Sequence, residues 1–267
     1  MVGSDPLFED WETHWRRLVE AREAQASAFR DPAYWDRRAR SFNAATSGRK
    51  DGFLELLEPW LAPDRTLIDV GAGAGRYAAP LADRLDWVTA VEPSQGMRDL
   101  IPPRENMTVI ASGWELAEAA PADLVICCHV LYGAADARRF IEKLEASARH
   151  RVFIQLRFGQ LRTPADPLWE EMMGTPRARQ PAFGDLWNLL LQMGIQADVA
   201  VLRYQSFQVW KDEQEFLDEY RPQLASVWDE AKGRAWMDAN LVREADGSLV
   251  FGRAESSSGV AHWQPPA

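Results

Sequence analysis

From Thr66 onward the chain alternates short, continuous apolar runs with segments of helical spacing, and this constrains the fold more than any other feature. The runs are TLIDVG (66–71), WVTAVEP (87–93), MTVIAS (107–112), ADLVICCHV (122–130) and HRVFIQLRF (150–158). A strand that is apolar on both faces belongs inside a parallel sheet covered by helices, because a half-solvated strand alternates polar and apolar. The order of strand and helix predicts a right-handed, doubly wound α/β fold.

Helices are expected at about 75–85 and at 136–148, the latter with Phe140, Ile141 and Leu144 on one face. Pro80 removes an N–H inside the first of these, which predicts a kink. Upstream, Phe8, Trp11, Trp15, Leu18 and Val19 recur at helical spacing. Asp31 followed by Pro32 reads as the start of a second helix, and a third covers about 51–61. Residues 159–180, which hold several prolines, read as irregular. A helix over 185–193 closes at Gly194, 197–210 reads as a long strand, 211–242 as helical, and the end as a turn and closing strand.

The first strand ends in DVGAGAG. Glycines at 71 and 73 let a ligand approach the backbone, Gly75 permits close packing, and the following helix offers free N–H groups. The spacing does not match the G-x-G-x-x-G dinucleotide pattern, since Arg76 stands three beyond Gly73, and the G-K-[ST] of a triphosphate loop is absent. Glu92 closes the second strand. Adjacent parallel strands bring it beside the glycine loop, where a carboxylate can accept both hydroxyls of a ribose.

DVGAGAG followed by VEPS, with DLVICCHVLYG for the fourth strand and its loop, resembles the class I S-adenosylmethionine-dependent methyltransferase family over about 50–210. The resemblance implies a mostly parallel seven-stranded sheet with an antiparallel last strand. It also implies S-adenosylmethionine as cofactor. Gly71, Ala72 and Gly73 would line its methionine part, with Asp69 organising the loop and Gly75 behind it. Glu92 would hold the ribose, and Pro93 and Ser94 would flank the adenine. Ser112, Gly113, Trp114 and Glu115 would reach the adenine ring, unless Trp114 serves only in packing. His129, Val130 and Tyr132 would lie near the reactive methyl. The helical sequence at 211–242 enlarges the family's usual short connection. Residues 1–50 are expected to form a helical lid segment before a methyltransferase domain over 51–267, with Tyr34, Trp35 and Phe42 lining the lid or packing on the core.

A sulfonium methyl is electrophilic enough that the protein need only align the acceptor and exclude water. His129 is the candidate base if the acceptor must lose a proton; otherwise it shapes the pocket. The formal charge of 30 − 40 = −10 works against binding phosphate backbones. The [DNS]-P-P-[YF] sequence of nucleobase amino-group enzymes is missing after the fourth strand, and no metal set is evident. A small-molecule acceptor is therefore expected. A non-catalytic cofactor-binding protein and an RNA enzyme using the Arg37–Lys50 cluster are the alternatives. No run approaches the ~20 apolar residues of a membrane span, and no signal peptide is evident, so a cytoplasmic protein is expected. Cys127 and Cys128 are adjacent and should point to opposite faces of their strand.

Overall fold

The computed structural model describes residues 10–27, 35, 36, 39, 52–159, 163–224 and 227–266. Five parallel strands form most of one sheet: β1 (Thr66–Val70), β2 (Trp87–Val91), β3 (Met107–Ile110), β4 (Ala122–Cys128) and β5 (Ala148–Arg157). Two long strands, β6 (Asp198–Trp210) and β8 (Leu249–Trp263), complete it, and the two-residue β7 (Val242–Arg243) pairs with β8. The order is β3-β2-β1-β4-β5-β8-β6, with β8 antiparallel to both neighbours. The expected mostly parallel sheet with an antiparallel last strand is therefore present. The order reverses between β1 and β4, and in such sheets ligands bind in the crevice beyond the carboxyl ends at that reversal.

Two cores lie on opposite faces. On one face Ile68, Val70, Val125, Cys127, Ile154 and Leu156 pack under α1 (Trp11–Ser27), α5 (Ala137–Ala146) and α7 (Phe183–Gln192). On the other, Leu67, Leu124, Ile126, Phe153 and Val260 pack under α2 (Phe53–Leu57) and α3 (Ala78–Ala82). Cys127 is buried in the first core and Cys128 packs against the second, so the adjacent thiols face opposite ways. Helix α1 is part of the first core: Trp15 and Val19 are buried, and the Trp15 indole N–H donates to Ala134 O at 2.8 Å.

The far ends of β6 and β8 extend beyond the sheet's centre and carry a third core. There Trp210 and Leu249 meet residues of α6 (Ala165–Met173), α8 (Glu213–Tyr220) and α9 (Glu230–Asn240). Helix α4 (Gln95–Arg98) follows β2 and is capped by the Ser94 side chain.

Three expectations need correction. The helix expected over 75–85 is regular only from Ala78 to Ala82. Ala79 N–H bonds Gly75 O, Pro80 has no N–H, and Leu81 resumes with Tyr77 O, so a late start replaces the expected kink. The stretch expected to be irregular contains α6. The helix expected over 51–61 divides into α2 and a 3-10 turn, Glu58–Trp60, where Pro59 interrupts it. The expected lid positions Tyr34 and Phe42 lie outside the described residues.

Candidate functional site

At the carboxyl end of β1 the chain turns through three glycines with left-handed φ: 69° at Gly71, 57° at Gly73 and 79° at Gly75. A Cβ at Gly71 would stand 2.3 Å from Val130 Cγ2, so the missing side chain leaves room for the β4 loop. At Gly73 nothing lies within 4 Å of a Cβ, which leaves an open face above the loop. The N–H groups of Gly71 and Ala72 both donate to Val91 O, at 2.8 and 3.0 Å, and tie the loop to β2. A Cβ at Gly75 would press on Ile101, consistent with a packing role.

Two buried carboxylates organise this turn. Asp69 is 1% exposed and accepts the Ala78 N–H at 3.1 Å, which fixes the start of α3. Burial pushes its pKa up to about 7; the Ala78 bond opposes this and the Glu92 charge adds to it. Glu92 is 7% exposed and joins two loops. Its Oε2 accepts the Gly73 N–H at 2.9 Å and its Oε1 the Ser94 N–H at 2.8 Å. Burial raises its pKa as well, against the pull of the Ser94 and Gly73 bonds and of Arg98. Each oxygen keeps a lone pair beyond those bonds.

Ser94 Oγ donates to Asp36 Oδ1 at 2.5 Å, and the Gly96 N–H donates to the same oxygen at 2.9 Å. These bonds, the Ser94 hydroxyl first, hold the Asp36 carboxyl below its ordinary pKa. The expected lid segment thus touches the loop after β2 at one described point, which sequence reading did not anticipate. Pro93 and Glu115 are exposed, and Gly113 is half-buried. Trp114 is only 3% exposed. Its ring sits against Phe140, with the Lys143 ammonium 4.8 Å from its centroid, so it is part of the α5 core rather than a free stacking face.

Across the crevice, His129 adopts φ 62°, the one left-handed non-glycine among the described residues. Its N–H donates to Gln155 O at 2.9 Å. Its Nδ1 lies 3.1 Å from the Tyr132 hydroxyl, which also accepts the Arg157 N–H at 2.8 Å. Burial, then the charges of Arg157 and Arg76, hold the imidazole well below its ordinary pKa. It is therefore neutral at physiological pH and a weak base. The neighbouring Val130 fills the space left by Gly71. The structure thus brings Asp69, Gly71, Ala72, Gly73, Glu92, Ser94, His129 and Val130 to one end of β1, β2 and β4. Gln155 and Arg157 belong to the same end and were missed, because their strand reads as an apolar run.

Residues 68–151 match the family model described as a methyltransferase domain. The chain carries a methyltransferase domain. An uncharacterized protein of Haemophilus influenzae is 28% identical over 185 residues, covering 66% of this chain and 68% of that one. Among solved structures, a candidate methyltransferase of Bacillus halodurans superposes with a TM-score of 0.53 at 13% identity, covering 81% of this chain and 100% of that one. The YcgJ protein of Bacillus subtilis gives 0.51 at 11%, covering 78% and 96%. The cyclase SpnF gives 0.53 at 12%, covering 87% and 94%. At such identities these structures establish the fold of the methyltransferase domain, which is the class I, Rossmann-like one. Among its described residues, no helix is long and apolar enough to cross a membrane.

Proposed function

We propose that the chain binds S-adenosylmethionine over the glycine loop and directs its methyl group to a small-molecule acceptor. The observation that carries this reading is Glu92. It is buried and braced by two backbone N–H groups, beside the open face at Gly73, and retains a lone pair on each oxygen for the two ribose hydroxyls. Gly71, Ala72, Gly73 and Asp69 then serve the methionine end, with Gly75 packing behind. Pro93, Ser94, Gly113 and Glu115 form the rim on the adenine side, and Trp114 supports that rim from the core.

When bound, the cofactor supplies an electrophilic methyl carbon, and the protein's part is alignment and exclusion of water. We read His129 as a neutral hydrogen-bonding wall beside the reacting centre. A general base works best with a pKa near the working pH, and burial and two arginines take His129 away from that range. The Asp36 contact with Ser94 and Gly96 supports a cover that begins within residues 1–50 and closes on the nucleoside end of the 51–267 domain.

The charge of −10 supports a small molecule rather than a nucleic acid. The Arg37–Lys50 cluster lies outside the described residues. Two adjacent cysteines whose thiols face opposite cores make no disulfide framework, which fits a reducing cytoplasm. The test is calorimetry with S-adenosylmethionine and S-adenosylhomocysteine, followed by methyl-labelled cofactor supplied with a metabolite extract and, separately, with total RNA. The reading requires binding of both nucleosides and label in the metabolite fraction. Absence of binding sinks it, and label in RNA overturns the acceptor class. Binding without transfer to anything would favour a non-transfer role, which fold alone does not exclude.

A further inference from the structure

At the carboxyl end of β5 two polar side chains interrupt an apolar strand. Gln155 and Arg157 are two residues apart, so they share a face with Phe153, and that face packs toward α2 and α3. In register, Gln155 stands between Cys128 of β4 and Val260 of β8, while Arg157 stands opposite Ser258. Gln155 is 0% exposed, and neither its Nε2 nor its Oε1 has a hydrogen-bond partner. Protein interiors pair nearly all such groups, and leucine or methionine would fill similar volume without stranding an amide. An amide closed off from solvent can be satisfied only by a molecule admitted to the interior.

The surroundings describe that molecule. Ser258 is fully buried and shares a 2.9 Å hydrogen bond with Tyr204. The Tyr132 hydroxyl is held by the Arg157 N–H and faces His129. The Arg157 guanidinium forms no ion pair with a carboxylate among the described residues, and its charge, together with that of Arg76, is felt at His129. This end of the crevice is therefore polar, hydrogen-bonding and positive, inside a protein of negative net charge.

We propose that Gln155 is a direct hydrogen-bonding contact for the methyl acceptor. The acceptor is a polar small molecule with donor and acceptor atoms on one edge and an anionic group directed at Arg157. The proposal rests on the methyltransferase reading.

The experiment compares the wild type with Gln155→Leu, and with Gln155→Met should the leucine variant fold poorly. Three quantities are read: melting temperature, the Kd for S-adenosylhomocysteine, and the small molecules retained from a metabolite extract by protein saturated with S-adenosylhomocysteine, identified by mass spectrometry. The expected result is a melting temperature equal to or above wild type, a Kd within about twofold, and at least a roughly tenfold loss of a retained anionic species. Unchanged retention would make the amide's partner a buried water and overturn the proposal. So would a matching loss of S-adenosylhomocysteine affinity, since the amide would then serve the cofactor, and so would a wild type that retains nothing. A wild type that fails to bind S-adenosylhomocysteine sinks the underlying reading, and this inference with it.

Discussion

Glu92 and Asp69 are both buried carboxylates at the same turn, yet they are built for different work. Glu92 has each oxygen already engaged by a backbone N–H, so neither alanine nor glutamine is a mild replacement. Alanine removes charge-assisted bonds worth about 1.5–3 kcal/mol, and glutamine would turn an NH2 toward the Gly73 or Ser94 N–H. We expect Glu92→Ala to weaken S-adenosylhomocysteine binding by about tenfold to a hundredfold in calorimetry, and glutamine to do nearly as much. Unchanged affinity would remove Glu92 from the site. Asp69 is held by one N–H and carries a pKa of about 7 against an ordinary 3.8. The folded state therefore keeps a proton that the unfolded chain releases. That stabilising contribution is complete below pH 3.8 and is lost as pH rises through about 7. In Asp69→Asn the new amide cannot ionise, and it still offers an oxygen to the Ala78 N–H. The melting temperature of this variant should gain on wild type as pH goes from about 5 to about 8, and a flat difference would show that Asp69 is ionised throughout. The glycine loop and Glu92 were legible in sequence because their positions are tied to strand ends. Gln155 was not, because one amide among apolar neighbours carries no pattern.

At the scale of elements, the parallel strands were readable because burial on both faces leaves them uniformly apolar. Two helices were hard to read for one shared reason. Pro80 and Pro167 each stand at the third residue of their helix, in the first turn, where a helical N–H has no partner to lose. In the sequence alone the first reads as an interior kink and the second as part of an irregular segment. The contact of Asp36 with Ser94 and Gly96 was hidden for a different reason, since it joins positions 58 and 60 residues apart. The junction of β1 and β4 is specified by the fit of Val130 over Gly71. Gly71→Ala would combine a left-handed alanine, costing about 1–2 kcal/mol, with overpacking of about 1–3 kcal/mol. We expect chemical denaturation to show a loss of roughly 2–5 kcal/mol. Adding Val130→Ala should recover the packing part but not the backbone part. A double variant no more stable than Gly71→Ala alone would deny the contact its role.

At the scale of the whole molecule, α1 does not stand apart as a cover, because Trp15 reaches the first core and bonds Ala134 behind the sheet. A second tie joins α1 to α7 and the segment before it: Asp185, in the first turn of α7, meets both His14 of α1 and Arg179. The third core is separate: Trp169, Trp210, Phe216, Tyr220, Trp236 and Leu249 belong to neither of the cores that flank the glycine loop. Its backbone link to the sheet is the β6–β8 pair, a ladder shared at one end with the sheet and at the other with three helices, and Asp166 of α6 is also tied to Arg22 of α1. Such an arrangement can open in part, since cooperative opening follows contiguous packed units. Amide exchange should therefore resolve two classes of protection, with the amides of α8 and α9 released at lower denaturant than those of β1 and β4. S-adenosylhomocysteine should strengthen the second class and leave the first nearly unmoved; one common rise would mean a single cooperative body. The β6–β8 ladder would then act as a mechanical insulator, letting the far helices breathe while the nucleoside end of the crevice stays set.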